Sequence, residues 1–531
     1  MKDSTVTILD SAGKPLAMQD TSNFSASRKA REFERWNPPF YTADGDNAGE
    51  LTTIQARALD LDRNNPIASG SINTMVDNVI GVGLRLSAKP DYKFLGRDKA
   101  WADEWRKNVE GLWRSFADVP EFDAARQLTF GQMTALMLRT AFIQGEGLAL
   151  ALWQPDRPGD IWSTTMQSVD PGRLGSAYLY DRRTGISDGI TKNEWGEPVS
   201  YSIKKNLPRD YYDPTLGIGA PGEYEEVAAR TSFGRRNVIH LYEKRRSGQS
   251  RGKSILSQVM APFKMLDHYQ RIELQTAVIN SMIAAFIETP LSGTEIADLF
   301  GGGKEYVKAK EGWEVNLEGA SVLPLYPGEK MNAFNPGRPN SAYGVFVENV
   351  VRTIAAGINM PYELVLKDFS KTNYSSARAA LLEAFKFFNS KRQWVVEGWC
   401  IPVYDLFLEE AVNKGLVEAP DFYENRAAYL RSRWIGPGRG YVDPLKEVQA
   451  AEKRMEIGVS TQEDECAEQG KDWEEVQEQQ LLEELNERKL RDELGLPPAA
   501  AMDGSQPAPT VDEVDEESEE DESEQNGGDD R

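Results

Sequence analysis

Two helix-period segments with a Gly/Pro-rich stretch set between them constrain this chain more than any other feature. A pattern opening at Pro262 runs unbroken to Glu288, just before Pro290. At 1.5 Å per residue it predicts a helix about 40 Å long. Its second half is apolar nearly all round, which outside a membrane means burial on several sides, including between subunits. Residues 290 to 340 are rich in Gly and Pro, with Gly301-Gly302-Gly303 and the strand-like Ser321-Val322-Leu323. A helical pattern then covers Ala342 to Ile358 and stops before Pro361. The reading is a small knob carried on two stalks.

A loop holding Lys367, Asp368, Lys371 and Asn373 leads on to another long helix. Ser375 or Ser376 is the expected cap, Leu381, Phe385, Phe388, Val395 and Trp399 form the apolar stripe, and Pro402 is expected to kink it. Upstream, residues 51 to 250 alternate helix and strand signals. Trp101, Trp105, Leu112 and Phe116 recur at helical spacing, while Val199, Tyr201 and Ile203 alternate as a strand should, and Val238–Tyr242 reads as another strand. This part is α+β. Downstream, Asp443 with Pro444 predicts a helix start, and Ser460 with Glu463 a capping box. A third helix is expected near Asp472 to Leu494, with Glu484–Arg488 and Glu487–Arg491 pairs.

The length of 531 residues predicts about three or four domains. The net charge of −23 is a property of one end: Glu463 to Arg531 holds 26 acidic and 5 basic residues, which leaves −2 for residues 1 to 462. A near-neutral body argues against a tight nucleic-acid binder with a broad basic face, although not against a protein that lets nucleic acid pass. Residues 1 to 50 are polar and read as a flexible or partner-dependent arm, and residues past 499 as a disordered acidic tail. The longest strongly apolar stretch, Ala277 to Ile287, is too short to span a bilayer, and no secretory h-region is visible after Met1. Two cysteines, Cys400 and Cys466, exclude a disulfide framework and favour a reducing compartment. His240 and His268 alone leave little room for a His/Cys zinc site.

The segment Gly248-Gln249-Ser250-Arg251-Gly252-Lys253-Ser254 holds two decoys. As a phosphate loop it has three residues between its glycines where four are needed, so its N–H groups cannot wrap a phosphate in the usual way. As Gly-x-Ser-x-Gly it offers Ser250 as a nucleophile, but the strand ends near Tyr242, and the only later histidine, His268, is preceded directly by Asp267. The simpler reading is a solvated basic loop, with Arg235, Arg236, Lys244, Arg245, Arg246, Arg251 and Lys253 set against Glu243. Such a cluster suits phosphate or an acidic neighbouring subunit, and the neighbour is favoured. Gly217-Ile218-Gly219-Ala220-Pro221-Gly222 matches a dinucleotide fingerprint by letter only, because prolines surround it and no helix follows. His240 and His268 read as structural histidines. Asn23-Phe24-Ser25 and Asn373-Tyr374-Ser375 match the glycosylation pattern without a secretory context. No catalytic constellation and no cofactor site is expected.

The C-terminal third carries a recognisable text. Arg433-Trp434-Ile435-Gly436-Pro437-Gly438-Arg439, Asp443-Pro444-Leu445-Lys446-Glu447, Gly458-Val459-Ser460-Thr461, Cys466-Ala467 and Gly470-Lys471-Asp472 resemble lambda-type tailed-bacteriophage portal proteins. Arg63-Asn64-Asn65-Pro66, Gly81-Val82-Gly83-Leu84, Gly145-Glu146-Gly147 and Val238-Ile239-His240 agree upstream. Met360-Pro361-Tyr362-Glu363 and Asn373-Tyr374-Ser375-Ser376-Ala377-Arg378 agree in the middle, so the likeness runs from about residue 30 to 495.

The resemblance implies a ring subunit of a homo-oligomer, usually a dodecamer, at one capsid vertex. Double-stranded DNA would pass through its channel, with terminase, the major capsid protein and a head-tail adaptor as partners and no membrane. It would reside in the virion, and in the host cytoplasm during assembly. It implies an α+β fold with an arm (1–50), a wing (51–250), stem helices (251–289 and 342–360), a clip (290–341) and a tunnel loop (361–375). A long helix and wing return (376–440), a helical crown (441–495) and the acidic tail (496–531) would complete it. On this map Lys367, Lys371, Asn373 and Arg378 are the DNA-channel candidates. Lys244, Arg245, Arg246, Arg251 and Lys253 form the basic loop for subunit or phosphate contact. A nucleotide-dependent packaging motor or nuclease is the alternative, and a non-ring tail or scaffold protein a third reading.

Overall fold

The structure is a computed structural model, and it describes residues 35–47, 49–175, 180–181, 186–205, 224–282, 286–287, 323–324, 343–439 and 444–494. The chain divides into a unit spanning Met1–Gly470 and a second spanning Lys471–Arg531.

In the first unit α1 (Ala43–Asn47) leads to α2 (Leu51–Asn64) and α3 (Pro66–Val79). Asn65 separates the last two: its side chain accepts from the N–H groups of Ile67 and Ala68, and Pro66 takes the first helical position, where no N–H is needed. Strand β1 (Arg85–Ala88) follows, then α4 (Lys99–Ala117), capped by Asp98, and α5 (Phe130–Gln144), opened by a Thr129/Gln132 capping box. Of the stripe expected on α4, Trp105 and Phe116 are buried while Trp101 and Leu112 are half-buried, and Trp113, outside that expectation, is buried as well. Trp113 meets Phe130, Tyr404, Phe407 and Trp434 edge-on, the arrangement aromatic quadrupoles favour.

A three-stranded antiparallel sheet places β2 (Glu146–Trp153) between β3 (Thr164–Val169) and a later strand, Val238–Tyr242. A five-stranded antiparallel sheet runs in chain order through β4 (Tyr180–Asp181), β5 (Ile186–Ser187), β6 (Ile190–Lys192), β7 (Pro198–Lys204) and β8 (Tyr224–Ala228). The strand Val238–Tyr242 is β9. Leu148, Val169, Ile190, Tyr201, Ile203 and Val238 form a small second core shared by these two sheets. The expected alternation on β7 holds in part, since Tyr201 and Ile203 are buried while Val199 is exposed.

Helix α6 spans Met260–Met282, and Phe286–Ile287 form strand β10, parallel to β11 (Leu323–Pro324). The single helix expected from Pro262 to Glu288 is therefore corrected: it opens two residues earlier and does not include Phe286–Ile287. A short apolar run satisfies helix and strand alike, and only its pairing partner decides. Apart from these short strands, the predicted knob lies outside the described residues, as do residues 1–34, Asp443 and the acidic tail. The helix expected over Ala342 to Ile358 is α7 (Tyr343–Gly357).

Helix α8 (Tyr362–Leu366) precedes α9 (Tyr374–Val395). The cap of α9 is Asn373 rather than Ser375 or Ser376, its side chain accepting from the Ser376 N–H at 2.8 Å. The irregularity expected at Pro402 takes the form of a local change of helix type in a continuous run. A π turn at Val396–Cys400 leads directly into α10 (Ile401–Asn413), loosening the turn where proline offers no N–H. Helix α11 (Arg426–Tyr429) precedes β12 (Ser432–Ile435), which returns to pair antiparallel with β1. Helix α12 (Pro444–Glu456) opens on Pro444 as expected, while α13 (Gln462–Glu468) is capped by Thr461, one residue beyond the predicted Ser460. Thr461 accepts from the Asp464 N–H at 3.2 Å.

The second unit contains α14 (Trp473–Glu493), capped by Asp472 and carrying no buried residue. The two predicted pairs are formed, Arg488 to Glu484 at 2.6 Å and Arg491 to Glu487 at 2.8 Å.

Candidate functional site

The two groups of candidate residues meet opposite fates. The first group lies between α8 and α9. Lys367 closes α8 in the left-handed conformation, with φ 56°, and is exposed. Among the described residues it makes no ion pair. Lys371 is also exposed, but its Nζ lies 2.7 Å from Glu348 on α7, and Glu348 takes Arg352 at 2.8 Å as well. The hydrogen bond from Lys371, with Arg352 nearby, holds the Glu348 carboxyl below its usual range, and Glu348 pushes Lys371 up. Asn373 is spent as the cap of α9. Arg378 is half-buried on the rim of a cavity of about 210 Å³, which Leu364, Leu381, Phe385 and Phe388 line. These four positions are thus an uncommitted lysine, a lysine that shares a carboxylate with Arg352, a structural cap and a half-buried arginine.

The second group, on the loop after β9, is not one solvated cluster. Arg251 is buried, and its guanidinium clamps the fully buried Glu146 with Nε at 2.9 Å and Nη2 at 2.5 Å. Its remaining donors reach the carbonyls of Leu174 at 3.1 Å, Asp188 at 2.7 Å and Pro171 at 3.3 Å. His240 Nε2 lies 2.9 Å from the same carboxylate, and the Gly252 N–H adds a further donor at 3.2 Å. Burial alone pushes Glu146 up, but Arg251 and the His240 hydrogen bond outweigh it and hold the carboxyl well below the usual range. The placement of Arg251 in a subunit- or phosphate-contacting surface is therefore corrected. Desolvation of a charge is tolerable only with a partner of this quality.

Backbone packing sets the same loop in place. Gly145 sits at φ 96°, and a Cβ there would lie 2.5 Å from the backbone of Lys253. A Cβ on Gly252 would overlap the Gly145 carbonyl. Only glycines allow the loop to lie this close to the end of α5.

Arg235 is buried as well, donating to Thr164 Oγ1 at 2.8 Å. Lys244, Arg245 and Arg246 are exposed, and Lys253 is half-buried. Arg245 meets Glu243 at 3.2 Å, and Arg246 pairs with Asp46. Asp44 of α1 accepts from the Ser250 N–H at 2.7 Å, from the Ser250 hydroxyl at 2.9 Å and from Lys192 Nζ at 2.7 Å. Residues 43–47 thus dock on the body and are not part of a free arm. The N–H groups a nucleotide loop would offer are already bonded, Ser250 to Asp44 and Gly252 to Glu146, and Ser250 is buried. His240 is half satisfied, since its buried Nδ1 has no partner among the described residues, and His268 stands exposed on α6. No group of three or more His, Cys, Asp or Glu among the described residues is placed to hold a metal ion. No described helix is long and apolar enough to cross a membrane.

Residues 29–392 match the family described as phage portal protein, lambda family. The chain belongs to that family. Among its portal relatives are the portal protein of Escherichia phage N15 and portal protein B of Escherichia phage lambda, each 31% identical. The first alignment covers 85% of this chain and 88% of the relative, and the second 88% and 89%. A probable portal protein of Halomonas phage phiHAP-1 is 22% identical over 90% of this chain and 88% of the relative. A chain from the virion of a native gene transfer agent particle shows a distant likeness, with a TM-score of 0.39 at 12% identity, covering 86% of this chain and 98% of that one.

The portal resemblance read from short motifs therefore extends over most of the chain. Asp44, Glu146, Lys192 and Glu348 are the residues that sequence reasoning left out of the two loops. Glu146 had one signal, its place in Gly145-Glu146-Gly147 at a helix-to-strand turn. Asp44, Lys192 and Glu348 had none, because their partners lie 206, 58 and 23 positions away.

Proposed function

We propose that this portal-family chain forms a closed homo-oligomeric ring, a dodecamer, at one capsid vertex. Double-stranded DNA passes through it during packaging and ejection. The ring docks terminase and later a head-tail adaptor, contacts the major capsid protein, and is built in the host cytoplasm before residing in the virion. Residues 51–250 act as the wing, α6 and α7 as the stem, 290–341 as the clip, 361–375 as the tunnel loop, 376–440 as the long helix and wing return, and 441–495 as the crown. The observation that carries this reading is the portal relationship at 31% identity over nearly the whole chain. Exposed apolar side chains on the stem helices, among them Met265, Leu274, Val345 and Phe346, suit a neighbouring copy.

The channel candidates are Lys367, Lys371, Asn373 and Arg378. Ring symmetry repeats each channel residue once per subunit, so a densely basic lining would bind DNA too tightly to let it move. Lys371 and Arg352 share the Glu348 carboxylate, which lowers but does not cancel their charge, and Lys367 is then the loop lysine with no ion-pair partner among the described residues. The test is native mass spectrometry with electron microscopy of the purified chain. Closed rings are expected, and a monomer or an open filament under assembly conditions would refute the reading.

A further inference from the structure

The loop after β9 has a second tier that the buried Glu146–Arg251 clamp does not use. Above the clamp, one carboxylate oxygen of Asp44 takes the Ser250 N–H, and the other takes the Ser250 hydroxyl and Lys192 Nζ, all within 2.9 Å. A backbone N–H, a hydroxyl and an ammonium converging on one anion form the donor set of an oxyanion cradle. These donors have holds on the body other than Asp44. Arg251 and Gly252 are pinned from below by Glu146, Gly252 lies against Gly145, and Lys192 Nζ also donates to Ser250 Oγ at 2.7 Å.

The occupant is held differently. Helix α1 has five residues, of which only Ala43 and Asn47 are buried. The amide of Asn47 is buried with neither Nδ2 nor Oδ1 hydrogen-bonded among the described residues. Just before the helix, Phe40 is 95% exposed, so it does not anchor the segment. Charge holds the arm more than packing does. Among the described residues, Lys192 and Arg246 have Asp44 and Asp46 as their carboxylate partners. Withdrawal of α1 would therefore leave two unpaired cations beside free N–H and O–H donors.

We propose that Ser250 and Lys192 form an oxyanion-binding cradle whose present occupant is the Asp44 carboxylate, and that a phosphate group takes its place when residues 43–47 withdraw and Arg246 is released from Asp46. The arm is then a displaceable internal ligand, a role that goes beyond the portal reading.

The test uses the full chain carrying Asp44→Ala or Asp44→Asn. Melting is followed across a series of inorganic phosphate concentrations, with chloride holding ionic strength constant. Asp44→Ala is expected to melt lower than the unaltered chain in chloride and to regain the loss saturably in phosphate, as binding to the folded state alone requires. The unaltered chain is expected to need roughly tenfold more phosphate for the same response, because its tethered carboxylate competes at high effective concentration. Adding Lys192→Met to Asp44→Ala should abolish the response. Should Asp44→Ala fail to fold, Asp44→Asn carries the test by hydrogen exchange at residues 43–47, which phosphate is expected to accelerate. The cradle is overturned by a folded variant that ignores phosphate, by a response that survives loss of Lys192, or by an equal response in the unaltered chain. None of these outcomes bears on ring closure, so the portal reading fails or stands by its own test.

Discussion

The loop after β9 and the loop before α9 draw on the same residue types, yet burial makes them different objects. In the first, Arg251 and Glu146 are withdrawn from water and every donor of the guanidinium group is directed. In the second, Lys367 stands in solvent, and Lys371 meets Glu348 at the surface. The lesson is that a basic residue in a Gly-rich loop says little until its depth is known. At depth it is a structural element, whereas at the surface it remains available to a partner.

The largest effect should come from breaking the buried pair. Arg251→Met leaves Glu146 charged without its partner and should cost about 3–5 kcal/mol in denaturant melts. A loss below about 1 kcal/mol would remove the distinction between the loops. The next is pH. Asp44 and Glu146 both have lowered folded-state pKa values, opposed by burial and won by their cationic and hydrogen-bond partners. Their stabilisation is therefore fully present above the unfolded carboxyl range and is lost as pH falls below about 4 and through the folded values. Acid melts of Glu146→Gln should show a shallower pH slope than the unaltered chain, and an unchanged slope would place the acid sensitivity elsewhere.

In the surface loop the expected effect is on DNA rather than on folding. Lys367→Ala with Lys371→Ala should leave ring assembly normal and reduce the DNA packaged and retained. Because Lys371 already has a carboxylate partner, Lys367→Ala alone should account for most of the reduction. Unchanged DNA content in well-formed particles would remove both residues from the mechanism, and an equal share from Lys371→Ala would show that its Glu348 contact does not withhold it from DNA. The smallest effect belongs to the acidic end. Deleting residues 499–531, which hold few apolar side chains, should leave ring closure unchanged by native mass, and failure to close would assign them a specific interface.

Much of the helical framework was legible because its signals are local. Trp105 and Phe116 reach the core, Pro444 opens α12, and the two Glu–Arg pairs of α14 form where i,i+4 spacing puts them. The errors lie where two neighbours offered the same chemistry. Asn373 displaced Ser375 and Ser376 as cap, and Thr461 displaced Ser460, since each side chain can accept one N–H and only the local backbone selects among them. Phe286–Ile287 left the helix because a pairing strand was available at Leu323–Pro324.

By itself the sequence determined the family, several of the helices and two of the strands, and the separation of a near-neutral body from an acidic end. These follow from residue periodicity, short motifs and charge counts, which require no knowledge of distant partners. Only the tertiary structure decided which charges are free. Glu146 lies 105 positions from Arg251, Asp44 lies 206 from Ser250, and Glu348 lies 23 from Lys371. An ionic group's chemistry is set by its solvent exposure and by whichever opposite charge the fold brings within about 3 Å, and neither quantity is written in the spacing of the chain.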